Sequence, residues 1–267
     1  LPYSEFMPRP CPRCDGMGMR VVRRADGSQA AESCDCRLEQ RIARLWKLAS
    51  IPERYRECTL QNFDPTLHES LRIAQSYTDE FVTGYPFYTQ GKGLLYTGTM
   101  GVGKTHLAVG LLHALITERG AQSLFCDYRE LLKQIQESYN PSTHVTELQV
   151  LRPIFHAEVL LLDDLGYIRP TEWVWDTVAL ILNARYNAKK TTIITTNYPN
   201  RQARSLRYPD DAGKTSQQKK DADEAMREET LGDRIGDRMW SRLAEMCIEV
   251  NLVGTDLRQT KKRARFG

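Results

Sequence analysis

Long hydrophobic runs are missing from this 267-residue chain: nothing approaches the roughly 18 consecutive apolar residues that a membrane-spanning helix needs. A marked excess of one charge sign is lacking as well. Against 34 Asp and Glu stand 37 Lys and Arg, and the net charge of +3 is too small a bias to mark a nucleic-acid binder, although a local basic patch stays compatible with it. Neither G-x-S-x-G nor H-E-x-x-H occurs, and the 5 histidines show no ligand spacing, so hydrolase chemistry on anything but nucleotides is unsupported. An apolar fraction of 41% fits a soluble globular protein, not a mainly disordered one, and the length suits one large domain plus a small appendage. Leu1–Phe6 offers no basic segment followed by an apolar core, hence no secretory signal, and the expected compartment is a reducing cytoplasm. The start at Leu1 instead of Met leaves room for a longer native N-terminus.

Cysteine, in contrast, is plentiful and clustered. Cys11 and Cys14 form a C-x2-C pair, and Cys34 and Cys36 a C-x-C pair, the two separated by nineteen residues. This clustering, within an odd total of 7, points to metal instead of disulfides. Four thiolates complete a tetrahedral Zn2+ shell, and the segment between them, with Gly16, Gly18 and Gly27, can form a hairpin that folds as the metal binds. A redox dithiol or plain free thiols are the alternatives. Cys58, Cys126 and Cys247, scattered singly, read as buried or incidental. Over residues 37–48, Leu38, Ile42, Leu45 and Trp46 recur at helical spacing. Residues 1–48 are therefore expected to form a zinc-binding module ending in an amphipathic helix, and residues 49–267 the main domain.

From Gly93 the text alternates. Apolar segments at 94–98, 123–128, 159–164 and 191–197 read as strands, helical patterns occupy 106–120, 129–139 and 175–188, and a further helix precedes them around 67–83. Such alternation implies parallel strands joined by helical crossovers, hence an α/β fold with a doubly wound parallel sheet covered on both faces. Residues 204–230 are polar and of mixed charge, which predicts a loop or linker with a short helix at 221–229; residues 257–267 form a basic tail.

Gly98-Thr99-Met100-Gly101-Val102-Gly103-Lys104-Thr105 fits the phosphate-loop pattern G-x-x-x-x-G-K-[ST], with an apolar strand before it and a helix after it. In such a loop backbone N–H groups converge on phosphate oxygens, the helix N-terminus adds favourable partial charge, Lys104 bridges the outer phosphates and Thr105 ligates Mg2+. His106 follows in the first helical turn. A glycine-rich turn with an incidental lysine is the bland alternative. The run Val159–Leu162 ends in Asp163 and Asp164, two carboxylates at the strand edge where sheets of this kind bind ligands: Asp163 to hold Mg2+, Asp164 to orient or deprotonate the attacking water. A capped strand end competes with that reading. Asn197 ends the next strand and would lie near a γ-phosphate, although Asn-Tyr-Pro is also an ordinary strand exit.

Together these features resemble the AAA+ P-loop ATPases. More specific text, namely residues 51–63, LLLDDLG at 160–166, TTN at 195–197, GDRMWSRLAEMC at 236–247 and GTDLR at 254–258, resembles the DnaC/IstB family of helicase loaders and transposition ATPases, over roughly residues 51–258. The resemblance implies a homo-oligomeric ATPase using ATP and Mg2+. It also implies an arginine acting across a subunit interface on the neighbour's nucleotide, Arg238 or Arg242 by position, and a phosphate-sensing arginine in cis, Arg258. Arg234 competes, because GDRI at 232–235 repeats the local pattern of GDRM at 236–239, and pairing of Arg242 with Glu245 along a helix is the structural alternative. By the same resemblance residues 1–48 would dock a DnaB-type replicative helicase for delivery onto single-stranded DNA, with no membrane involved. Arg20, Arg23, Arg24 and Arg37 equally permit contact with DNA phosphate. The alternative is an IstB-type ATPase that binds duplex DNA and assists a transposase; a third class is a nucleotide switch with negligible turnover. Two departures stand out: Asp163-Asp164 replaces the Asp-Glu of many AAA+ proteins, which implies slow turnover, and no separate helical lid is evident after Asn197. Helix 129–139 sits where initiator-type AAA+ proteins touch single-stranded DNA, but its charges are mixed. Lys189, Lys190, Arg201, Arg204 and Arg207 read as a candidate basic rim with the tail at 261–265, or as a solvated face.

Overall fold

The computed structural model describes residues 11–15, 17–24, 26–203 and 229–260, the side chains of Gln259 and Thr260 excepted. The helix expected at 221–229, apart from Glu229, which is not helical, lies outside the described residues, as do the tail at 261–265, Arg204 and Arg207. A two-stranded antiparallel hairpin, β1 (Met19–Arg23) and β2 (Gln29–Ser33), leads into helix α1 (Asp35–Leu48). Two short 3-10 turns at Glu53–Tyr55 and Pro65–Leu67 precede α2 (Glu69–Gly84). Then strand and helix alternate: β3 (Gly93–Gly98), α3 (Lys104–Arg119), β4 (Ser123–Asp127), α4 (Tyr128–Ser138), α5 (Glu147–His156), β5 (Val159–Asp163), α6 (Glu172–Asn187) and β6 (Thr191–Thr195). The described C-terminal part adds α7 (Leu231–Ile235), α8 (Asp237–Met246), β7 (Cys247–Leu252) and α9 (Leu257–Thr260).

The five strands stand in the order β4-β5-β6-β3-β7, every neighbouring pair parallel. The doubly wound α/β expectation holds, and its cause is burial on two faces. One apolar cluster packs α2 and α3 on the sheet through Leu71, Phe81, Leu107 and Leu111; the other packs α4, α5, α6 and α8 on the opposite face through Leu131, Ile154, Val178 and Leu243. With both faces covered, β5 is buried at all five positions, which is why its sequence is a continuous apolar run and not an alternation.

Helix starts follow their caps. Asp127 Oδ1 accepts from Glu130 N (2.9 Å) at α4, and Thr146 with Gln149 forms a capping box at α5. The N-terminal region is built onto the same core: α1 begins at Asp35 inside the cysteine cluster, yet Ile42, Leu45 and Trp46 pack against the α2–α3 side, with Trp46 edge-on to His113. Beyond α1, Ala49 O accepts from Phe125 N (2.8 Å), which covers part of edge strand β4.

Candidate functional site

Strand β3 delivers the chain into the phosphate loop at the carboxyl edge of the sheet, between strands remote in sequence. Gly98, Gly101 and Gly103 take φ of 135°, 78° and 104°, a region that side-chain-bearing residues rarely enter. Space is a second constraint at Gly101, where a Cβ would lie 1.8 Å from Asp256 Oδ1. As N-cap of α3, Gly103 gives the first helical N–H groups no side-chain acceptor, an arrangement that suits an anion. Val102 is buried and Thr99 lines the crevice.

Two strand ends meet at Lys104, and a third, that of β5, reaches it through Asn197. Its Nζ donates to Gly98 O (2.8 Å), Thr99 O (2.7 Å) and Asn197 Oδ1 (2.7 Å), so all three ammonium hydrogens are engaged. Asn197 Nδ2 donates to Asp164 Oδ1 (2.6 Å). Asp163 Oδ1 accepts from Thr105 Oγ1 (2.9 Å) and from Thr195 Oγ1 (2.6 Å), while Thr195 Oγ1 accepts from Asp164 N (2.8 Å). Asp164 sits at φ 60°, which Asp tolerates better than a β-branched residue would. Burial pushes Lys104 down to about 8 against the pull of Asp164 and Asp163. Burial likewise raises both aspartates, opposed at Asp163 by the hydroxyls of Thr195 and Thr105 and at Asp164 by Lys104. A hydroxyl and a carboxylate side by side suit Mg2+, and a buried ammonium at a helix N-terminus suits phosphate.

The remaining predicted residues lie around this network. His106 Nε2 is 3.1 Å from Thr59 O and 2.8 Å from Asn62 Oδ1, with the ring edge-on to Phe63, so it faces the segment before α2. Arg258 is exposed at the start of α9, but its charge acts to lower both Lys104 and Asp164, and neighbouring Leu257 N donates to Gly101 O (3.1 Å). Arg234 is held within its own chain, over the Tyr198 ring at 4.5 Å and paired with Glu229. Arg238 on α8 is exposed; Arg242 lies over Tyr186 at 5.5 Å, and Glu245 accepts from the Tyr186 hydroxyl (2.9 Å), so these two side chains meet at a tyrosine instead of pairing directly. Sequence reasoning passed over Thr195 and Asp256. The available signal for Thr195 was its spacing two residues before Asn197, which in extended backbone puts both on one side of the chain.

At the other end of the chain, the Sγ atoms of Cys11, Cys14, Cys34 and Cys36 all lie within 4.8 Å of one another, with Cys11 to Cys34 at 3.9 Å and Cys14 to Cys36 at 3.4 Å. A Zn–S bond of about 2.3 Å places tetrahedral sulfurs about 3.8 Å apart, so the donor set fits Zn2+.

The family model for IstB-like ATP binding proteins matches residues 29–212, more than half of the chain. The chain belongs to this family. Among its relatives, the replicative helicase loader DnaI of Bacillus subtilis (strain 168) is 29% identical over 141 residues, covering 52% of this chain and 44% of that protein. The insertion sequence IS21 putative ATP-binding protein of Pseudomonas aeruginosa is 30% identical over 139 residues, 52% of this chain and 49% of that one. The chain thus spans about half the length of these two relatives. A crystal structure of the DnaC helicase loader is similar with a TM-score of 0.58 at 30% identity, covering 75% of this chain and 99% of that chain. No helix among the described residues is long and apolar enough to cross a membrane.

Proposed function

We propose that the protein is an ATP-dependent loader of a hexameric, DnaB-type replicative helicase onto single-stranded DNA, acting as a homo-oligomer that hydrolyses ATP at subunit interfaces. The observation that carries the reading is the convergence of Lys104, Thr105, Asp163, Asp164 and Asn197 at one sheet edge, in a chain 30% identical to a solved helicase loader. The loop amides and Lys104 hold the triphosphate, with Gly98, Thr99, Gly101, Val102 and Gly103 shaping the cradle, and Thr105 and Asp163 hold Mg2+. Asp164 orients or deprotonates the attacking water, and Asn197 positions it against Lys104. Bound Mg2+ neutralises charge on the phosphate oxygens. Arg258 adds cis charge, and Arg238 or Arg242, outside the Lys104 network of its own subunit, serves the neighbour's site. Cys11, Cys14, Cys34 and Cys36 bind Zn2+ and brace residues 1–48 as the helicase-docking module.

Size-exclusion chromatography with the replicative helicase of the same host or phage tests this. Co-elution in the presence of ATP is expected, and absence of a complex under every nucleotide condition sinks the loader reading. The likeness to the IS21 protein supports a second reading, a transposition ATPase; ATP-dependent assembly on duplex DNA together with stimulation of a neighbouring transposase would favour it instead.

A further inference from the structure

The segment 197–203 carries the amide that bridges Lys104 and Asp164 at one end and is fastened to the arginine-bearing helices at the other. Leu231 N donates to Pro199 O (2.9 Å), Gly232 N to Arg201 O (3.0 Å), Thr230 Oγ1 to Gln202 O (3.2 Å) and Ala203 N to Asp237 Oδ1 (2.9 Å). The approach is so close that a Cβ on Gly232 would lie 2.3 Å from Ala203 N. Midway, Trp240 Nε1 on α8 donates to Asn200 Oδ1 (2.8 Å), Asn200 Nδ2 donates to Glu249 Oε2 (2.8 Å), and Thr97 Oγ1 donates to Glu249 Oε1 (3.0 Å). Thr97 is the residue before the phosphate loop. Helix α8 is therefore tied both to the Asn197 segment and to the root of the phosphate loop. A cavity of about 390 Å3, lined by Thr99, Asn197, Asn200, Arg201, Glu249 and Asn251, borders the same segment and gives it room to shift.

We infer that Trp240 and Asn200 are positioning residues that set the pose of α8, and with it Arg238 and Arg242, toward the neighbouring subunit's nucleotide according to what occupies the crevice of their own subunit; the inference rests on the shared-site reading above. Lys104 has three ammonium hydrogens and all three have acceptors, so a phosphate oxygen reaches the ammonium only by displacing one of them, and Asn197 Oδ1 is the acceptor on the separate segment. A displaced Asn197 moves a short stretch stiffened by Pro199 and bonded to α7 and α8. Trp240 stands two residues from each arginine, so a turn of the helix at the indole moves both.

The test is Trp240→Phe, which keeps a ring and removes the indole N–H, with Asn200→Ala as a second variant. Nucleotide affinity is expected within about twofold of the parent, and kcat of the assembled protein down about tenfold, the split that belongs to a group presented to another subunit's transition state. Mixed with Asp164→Asn subunits, whose own sites are inactive but whose α8 is intact, W240F subunits are expected to recover turnover well above the sum of the two separate proteins. The reference mixture pairs R238A/R242A subunits with D164N. Normal turnover of W240F and N200A, or no recovery where the reference mixture recovers, overturns the inference. If the reference mixture also fails to recover, the shared site itself is wrong. Recovery requires a folded W240F site, so a misfolded variant counts as failure.

Discussion

Lys104 concentrates the chemistry of the site in one titratable group. Burial brings it down to about 8, while the same side chain in an unfolded chain titrates near ~10.4. Between these values the unfolded state holds more protons, so this lysine makes the free protein more stable as pH rises through that window. Phosphate acts the other way, because an anion beside the ammonium favours its charged form. Binding of ATP above pH of about 8 should therefore take up a proton, and affinity should fall as pH rises further, by up to about tenfold per unit. Calorimetric titrations at such a pH in two buffers of different ionisation heat measure the uptake directly; equal heats in both would contradict it. Lys104→Ala removes the group altogether and should abolish nucleotide binding or turnover, and normal turnover in that variant would misplace the loop.

At the scale of elements, the base of the sheet depends on two cations. Arg185 on α6 is fully buried with no ion-pair partner among the described residues, and its guanidinium donates to Ile154 O (2.7 Å), Ala157 O (3.0 Å), Thr191 O (2.6 Å) and Thr192 Oγ1 (2.9 Å). Lys190 Nζ takes Phe155 O (2.9 Å) and His156 O (2.8 Å). The end of α5, where carbonyls have no helical partners and the macrodipole is negative, is thus closed by positive charge. Arg185→Leu should lower stability by on the order of 3 kcal/mol, since several buried carbonyls lose their donor at once, and Arg185→Lys by less. Denaturant unfolding reads the difference, and an unchanged midpoint in R185L would show that the carbonyls find other partners.

The elements that reasoning from sequence found and missed divide on physical grounds. β5 was legible because burial on both faces writes a continuous apolar run, and β3 and β6 because Leu94–Tyr96 and Ile193–Ile194 with β-branched threonines mark fully buried strands. α5 was passed over because its core-facing positions are few and Pro153 interrupts its pattern, although the Thr146 and Gln149 capping box marked its start. β7, an edge strand with Ile248, Glu249 and Asn251 outside the buried set, carries too broken a run to read. In the site, residues at strand ends and in the phosphate loop announce themselves by local pattern. The links from Thr97 to Glu249 and from Trp240 to Asn200 join positions 152 and 40 residues apart, and no local pattern encodes them.

Across the whole molecule, the two ends of α1 belong to different sources of stability. Its first turn holds Cys36 in a cluster whose buried members, among the described residues, are Cys14, Cys34 and Cys36, with Cys11 packed against them, and the hairpin β1–β2 leaves most of its side chains exposed. So little apolar surface cannot offset the entropy of ordering some thirty residues at about 1 kcal/mol or more each, and the Zn2+ proposed for the four thiolates would supply the difference. The last turns of α1, through Leu45 and Trp46, lie on a core that the sheet holds in place without metal. Metal analysis should therefore find about one zinc per chain, lost in Cys11→Ser/Cys14→Ser. In that variant hydrogen exchange should speed up across residues 17–35 while α3 and β3 stay protected, and nucleotide affinity should hold within about twofold, because the residues lining the crevice include none of the clustered cysteines. Loss of protection throughout the sheet on zinc removal would contradict this division; loss confined to the hairpin, together with loss of helicase binding, would assign the module to docking alone.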